Sequence, residues 1–500
     1  MSERIQDAIP RMESPIPDSE LTHDAADRKA AGKKLRNTVP LNAHKVWKSA
    51  QRTIDPIQVL LDQDAARLQV LVPERHSRMD ASAFAFYRGS AAVMACDLAT
   101  TPNTGITVRA NGDAHLSNFG LFATPERRQV FDLNDFDETL PGPWEWDVKR
   151  LATSFVLAAR DNCRLNVPTW QDADGQQLAK TAAKAYRTRL LHFAKKSVLE
   201  VWYASEPVEL LQEHAPTKAA RKALDQVIAA AKKKTSAAAV DKLTTFDDNG
   251  ARVFRRQVDR EKGKIVVPLR DLEEFLNSKM FGAEAGRNPR GYLDPDGIRK
   301  QVHQNLRGFL DSSPVDRRHL LEHFEISDIA LKVVGVGSVG TRCFAVLCEG
   351  LDHGEPLMLQ VKEAMDPALG LAGLSCSYTD QGQRVVEGQR LIQSASDMFL
   401  GYSSTGNEQF YYWRQLADEK GSVVISDLDP SEADAYAKLC GWALAHAHAR
   451  SGDSIKIAGY LGKSGDFEQA IGTFAVHYAD QAELDYQAWH QGIQNGTISS

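Results

Sequence analysis

Residues 326–364, ISDIALKVVGVGSVGTRCFAVLCEGLDHGEPLMLQVKEA, decide how the chain is read. The stretch is rich in β-branched residues and turn signals, so it predicts a small antiparallel sheet. At its centre stands Gly335-Val-Gly337-Ser338-Val-Gly340. A G-x-G-x-x-G run fits both a dinucleotide site and a lid over nucleotide phosphates. The dinucleotide form must open a helix whose N-terminus meets the pyrophosphate. Here the glycines lead into TRCFAVLCEG, which alternates and reads as a strand. The expectation is therefore a strand–glycine loop–strand hairpin, set against the plainer reading of an ordinary glycine-rich turn.

One hairpin later comes Lys362, flanked by strand residues and placed to reach phosphates beneath such a lid. Its competing reading is a lysine on a solvated strand face. Helical periodicity follows in QGQRVVEGQRL, and Glu387 there is a carboxylate expected to pair with Lys362 and hold it.

Far upstream lies Asn111-Gly112-Asp113-Ala-His115-Leu-Ser-Asn118. An Asp followed five residues later by Asn resembles the catalytic loop of protein kinases. That resemblance implies that Asp113 accepts or orients an acceptor hydroxyl and that Asn118 binds a divalent cation, with His115 bracing the loop. Next comes Asp132-Leu-Asn134-Asp135-Phe136-Asp137-Glu138, carboxylates at a strand end that suit a hard cation such as Mg²⁺. Asp135-Phe136 resembles the metal-binding Asp-Phe-Gly of kinases, with Asp137 in the glycine position. Asp132 and Asp137 are expected to support this loop. Asp147 in WEWDVKRLA reads as a helix N-cap; the kinase-like reading has it support the catalytic loop from below.

Composition narrows the field. The chain has 500 residues, 43% hydrophobic and 25% charged, with a net charge of −6. That predicts two or three folded units and gives no electrostatic case for nucleic acid. Six scattered cysteines without a C-x-x-C pair suggest neither a disulfide framework nor a zinc site. No secretory signal and no apolar run of about 18 residues is seen, so a cytoplasmic protein without membrane insertion is expected. There is no G-x-S-x-G, H-E-x-x-H or P-loop motif. His446 and His448, two apart, do not face together on a helix and read as helix-end residues. HARSGD (448–453) mimics a catalytic loop but has Ala458 where Asn is required.

Along the chain, residues 1–40 read as a flexible arm, and 41–325 as a helical lobe carrying the catalytic and metal loops. Residues 326–416 read as a small β-rich nucleotide lobe, and 417–500 as helices returning to the helical lobe. Within 41–325, DVKRLATSFVLAAR has a helical stripe, and the Lys/Ala-rich tract beginning KAARKALDQVIAAAKKK reads as a solvated helix face.

The block NGDAHLSN … NDFDE … WDVKRLA resembles the catalytic half of aminoglycoside and choline phosphotransferases, with Asn111 in place of their first His. RHSRM (75–79), FAFYRGSAA (84–92), NGDAHLSNFG, NDFDE, QRVVEGQRL and AHARSGD (447–453) resemble a bacterial domain-of-unknown-function family, number 2252. The kinase order is lid, lysine, glutamate, hinge, long helix, catalytic loop, metal Asp. Here the last two come first, so the implied fold is α+β, bilobal, kinase-like and circularly permuted. The implied activity is Mg²⁺-assisted transfer of the ATP γ-phosphate to a hydroxyl acceptor that the residues do not identify. A non-catalytic nucleotide-binding module and AMP transfer on the same fold stay open. Arg75, Arg78 and Arg88 are candidate ligands for an anionic acceptor or, equally, salt-bridge residues. Oligomeric state is not legible.

Overall fold

The computed structural model describes residues 24–499 apart from 166, 168, 206–217, 261–262, 277–293, 334, 353, 407–408 and 417–419. Strand β1 (Thr107–Ala110) precedes the loop 111–118, and β2 (Phe119–Ala123) and β3 (Gln129–Leu133) form a hairpin after it. A turn at residues 124–128 closes that hairpin. β4 (Leu140–Pro143) returns antiparallel to β1, so loop 111–118 and segment 134–139 emerge side by side. The helix Trp144–Arg164 follows at once. Its expected stripe, Val148, Leu151, Ala152, Phe155 and Ala159, is buried, but nearly every other face is covered too. It runs through the middle of the largest core, between the helices Asp172–Phe193, Pro430–Ser451 and Asp466–Gln494.

A short hairpin pairs β5 (Thr244–Phe246) with β6 (Arg252–Phe254). The main sheet then takes β7 (Gln257–Asp259), β8 (Lys264–Pro268), β9 (Phe324–Val333), β10 (Cys343–Gly350), β11 (Pro356–Ala364), β12 (Gly401–Ser404) and β13 (Phe410–Gln415). Its spatial order is β12-β13-β11-β10-β9-β8-β7, antiparallel throughout. One face buries Ile329, Leu331, Phe344, Val346, Leu359, Val361 and Trp413 under the helix Pro295–Ser312. Phe309 of that helix stacks on Trp413 at 4.7 Å. The other face looks toward the helical part. Short β14 (Gly421–Ser422) pairs with β2 just after the sheet ends.

The architecture is mixed α+β, as expected, but two boundaries move. The sheet recruits β7 and β8, and its core takes Leu68, Val70, Leu71, Ile298 and Val302. Residues 41–325 are thus not wholly helical, because short strands with interrupted alternation complete the sheet edge. Residues 1–23 of the expected arm lie outside the described residues, while Ala25–Lys34 is a helix. It has no apolar stripe. It docks instead by close backbone approach, Gly32 against Lys456 and Gly459 against Lys29, and by Arg28 bonding Asp453 at 2.6 and 2.9 Å.

Candidate functional site

The β9–β10 connection is the glycine loop, and it is a hairpin tip. Gly335 and Gly340 have φ of 71° and 92°, a left-handed conformation that side chains with a Cβ adopt at a cost. The tip is fastened from outside the sheet. Arg78 Nη1 donates to the Gly335 carbonyl at 2.8 Å, Arg67 Nη1 to Val339 O at 2.8 Å, and the Leu68 amide to Gly340 O at 2.7 Å.

Beneath it lies a cavity of about 520 Å³. Gly335, Gly337 and Ser338 form one wall; Asp113, His115, Asn118, Asp135, Asp137 and Glu138 form the opposite one. Residues more than 190 positions apart in the chain therefore share one space. Arg67, Arg88, Glu363 and the segment 365–371 complete the lining.

The loop carrying Asp113 is held from below by Asp147, whose two carboxylate oxygens accept from the amides of Asn111 (2.7 Å) and Gly112 (3.0 Å). Asp147 lies inside the first turn of its helix, after Pro143 at the N-cap position, so it serves the loop rather than capping the helix. His448 Nε2 meets the same carboxylate at 3.1 Å, and its Nδ1 meets Tyr186 Oη at 2.8 Å. His446 bonds Val201 O. Both histidines lie near the end of the helix Pro430–Ser451, as expected, and are buried braces there. Asn111 donates to the Asp135 carbonyl at 2.6 Å and accepts from the Asp113 amide at 3.2 Å, tying the two loops together. Asn118 Nδ2 donates to Asp113 O at 2.7 Å.

Asp113 meets an unforeseen partner. Arg150 reaches its Oδ1 through Nε at 2.8 Å and Nη2 at 2.7 Å, while lying 4.0 Å over the Tyr87 ring. Burial raises the Asp113 pKa against the pull of Arg150, with Glu138 and Asp135 adding repulsion, and leaves it at about 7. His115 Nε2 is 3.6 Å from Asp113. Burial, with Arg88 and Arg150 nearby, holds that imidazole well below its ordinary pKa and hence neutral. Arg150 sits three residues after Asp147, on the same helix face, which is the signal that would have found it.

Lys362 is 2% exposed and sits behind the acidic wall rather than in the cavity. It contacts Asp137 directly and Asp135 at 3.9 Å, and Tyr412 Oη donates to Asp137 at 2.7 Å. Burial opposes its charge, but Asp135 and Asp137 outweigh burial and hold its pKa above the ordinary value. Glu387 is not its partner. That carboxylate accepts from Tyr378 Oη at 3.0 Å and Gln383 Nε2 at 2.8 Å, and Arg109 bonds the same tyrosine at 2.7 Å. Lys362 is already neutralised from the loop below, so the helix has no charge to answer.

The remaining expectations divide. Asp132 is buried away from the cavity, accepting from the amides of Ser394 and Leu133, each at 2.8 Å, and ties β3 to the end of the helix Gln381–Ile392. Arg75 is fully buried between Asp64 (2.8 Å) and Gly89 O (2.9 Å), so it binds no acceptor. Arg78 is spent on Glu74 and the glycine loop. Arg88 alone of the three lines the cavity. Asp453 of HARSGD caps the next helix through the Lys456 amide, in keeping with its rejection as a catalytic residue.

Residues 67–492 match the model of a family described as an uncharacterized protein conserved in bacteria, DUF2252. The chain belongs to that family. No curated protein and no solved structure matches it. The DUF2252 span begins at Arg67, one of the residues that fasten the glycine loop, and takes in both walls of the cavity. Among the described residues, no helix is long and apolar enough to cross a membrane.

Proposed function

We propose that this chain is an ATP-dependent phosphotransferase with a bilobal, kinase-like, circularly permuted fold. The observation that carries the reading is the single cavity walled by the glycine loop on one side and by Asp113, Asn118 and Asp135 on the other. The strand–glycine loop–strand, the lysine strand, the helix and two further strands follow one another as the permuted order requires.

The acceptor hydroxyl sits against Asp113, which takes its proton as the oxygen attacks the γ-phosphorus. The bond from that phosphorus to the β–γ bridging oxygen breaks, and ADP leaves. A group with a pKa of about 7 suits that duty near neutral pH. Arg150 fixes the carboxylate, and Asn111 and Asp147 fix its loop.

Asn118 and Asp135 present oxygen donors at the cavity. Among the described residues no group of three or more His, Cys, Asp or Glu forms a ready-made cage. That donor set fits Mg²⁺, which is held by one or two carboxylates together with substrate phosphates. When bound, the ion neutralises charge developing on the phosphates.

Calorimetric titration of ATP tests the reading. Wild type should bind ATP only weakly without Mg²⁺ and at least tenfold more tightly with it, and Asp135→Ala should abolish that gain. Absence of binding at millimolar ATP, with and without Mg²⁺, overturns it.

A further inference from the structure

The sheet face that looks toward the helical part carries more positive charge than the site described so far uses. Cross-strand register fixes which residues share it. Lys362 on β11 lies opposite Cys343 on β10 and Tyr412 on β13, and Gln360 lies opposite Arg414. Lys332 on β9 is paired with Val266 of β8 and follows Leu331, the partner of Phe344, which puts it beside Cys343 in the same row. Residues directly opposite across an antiparallel pair point to one face. Lys420, just past β13, joins the group, with Arg414, Lys332, Asp397 and Asp135 as its charged neighbours. Further along this face the row gives way to apolar Ala330, Ala345, Leu347 and Met358, packed under Val240 and Phe254.

Four cations thus converge, and among the described residues the carboxylates near them are committed. Asp137 bonds Lys362 and Tyr412. Asp397 accepts from the amides of Phe399 (2.7 Å) and Gln415 (2.6 Å). Asp135 stands nearest Lys362 at 3.9 Å. Arg414 donates to Gln360 at 2.9 Å and Asn134 O at 3.4 Å; burial opposes its charge, but Tyr412, Asp135 and Asp137 nearby hold its pKa above the ordinary value. Among the described residues neither Lys332 nor Lys420 makes an ion pair. Burial and the neighbouring Arg414 push the Lys420 ammonium down to about 7, and burial lowers Lys332 as well. Two lysines held beside Arg414 without a carboxylate partner are unfavourable unless an anion completes them.

We propose that Lys332, Arg414 and Lys420 form an anion subsite for a chain of phosphate groups, on the inner side of Asp135 and contiguous with Lys362. Asp135 joins the two regions, since it lines the cavity and faces Arg414 and Lys420. The proposal rests on the nucleotide reading for the source of those phosphates, and it departs from a cleft in which that sheet face offers an apolar slot to a base. With Gln360 and Arg414 bonded across it, the face is polar where a ring would lie flat.

The test is calorimetry on the full chain with three probes: ATP, sodium tripolyphosphate and adenosine. Tripolyphosphate should bind and displace ATP. Lys332→Met and Lys420→Met should each weaken both phosphate ligands about tenfold, with adenosine unchanged within twofold. At pH 7.5, binding should take up protons, visible as a dependence of the heat on buffer ionisation enthalpy, because an anion restores the charge of Lys420. The ligand-free variants should unfold at higher urea than wild type, since each loses an unpaired cation; this also shows that they fold. ATP binding unchanged within twofold in both variants overturns the subsite and leaves the nucleotide reading standing. Tripolyphosphate binding lost in the variants, with no ATP binding to wild type, supports the subsite and overturns the nucleotide reading. Binding of neither ATP nor tripolyphosphate to wild type overturns both.

Discussion

At the scale of single residues, Asp113 is the group on which the proposed chemistry turns. Its carboxyl is raised to about 7 by burial, opposed by Arg150. It must be ionised to take a proton, so turnover should rise with pH and level off above about 7. Asp113→Asn should lower turnover about 10²- to 10⁴-fold while ATP still binds; steady-state assays across pH 5–9 read both effects. Arg150→Gln removes the group that stabilises the anion, so the rising limb should move to higher pH. The same shift has a stability sign. A carboxyl whose folded pKa lies above its ordinary value near ~4 stabilises the fold fully below that value and loses the contribution as pH rises through about 7. Urea midpoints of wild type and Asp113→Asn should therefore diverge between pH 4 and 8, with wild type losing ground as pH rises. The motif residues themselves were legible, because Asp113 and Asn118, or Asp135 and Asp137, are close in sequence and local geometry binds them together. Which charge answers which at a distance along the chain was not. Glu387 had suitable spacing for Lys362, yet Asp137 holds that lysine, and Arg150 holds Asp113.

At the scale of elements, the helix Trp144–Arg164 presents Asp147 and Arg150 to one loop. Periodicity located that helix, and the helical reading of 417–500 covers the long helices Pro430–Ser451 and Asp466–Gln494, each of which buries a repeating apolar set. The glycine hairpin was equally legible from alternation on both sides of its glycines. The strands β7 and β8 were not: each is only three to five residues long, and β8 gains stability from pairing with β9, and β7 from pairing with β8, rather than from their own pattern. The helix Ala25–Lys34 was missed for the opposite reason, since glycine contacts and one ion pair dock it without an apolar face. For Asp147, two buried amides and a histidine depend on a single carboxylate. An unsatisfied buried donor costs about 1–3 kcal/mol. Asp147→Ala should therefore lower the unfolding free energy by about 3 kcal/mol in urea titration. Asp147→Asn, which keeps one acceptor, should lose about half of that. Equal, near-zero effects would show that the loop does not depend on this support.

At the scale of the molecule, the two walls of the cavity belong to different cores, and the segment 67–88 joins them alongside the contacts of Lys362 and Tyr412 with Asp137. Leu68 and Leu71 enter the core under the sheet, while Tyr87 packs in the large helical core and donates to the Arg150 carbonyl at 2.8 Å. Between them, Arg67, Leu68 and Arg78 bond three carbonyls of the glycine loop, and Arg67 fills the space beside Gly340. The loop is thus positioned by residues outside its own sheet, and its mobility is set by those bonds. The same segment holds its shape through Asp64, which pairs with Arg75 (2.8 Å) and His76 (2.7 Å). Hydrogen bonds from charged donors contribute about 1.5–3 kcal/mol, and local opening follows the bonds that must break. Removing the two guanidiniums should therefore speed amide exchange of the loop by about tenfold or more, while the strands flanking it stay protected by the sheet. Hydrogen-exchange mass spectrometry of Arg67→Ala/Arg78→Ala, comparing peptides across 335–342 with peptides across 344–350, measures this. Faster exchange confined to the glycine loop is the expected result. Unchanged exchange there would mean that the hairpin holds its own shape, and a rise across β10 as well would mean that the segment stabilises the sheet rather than the loop.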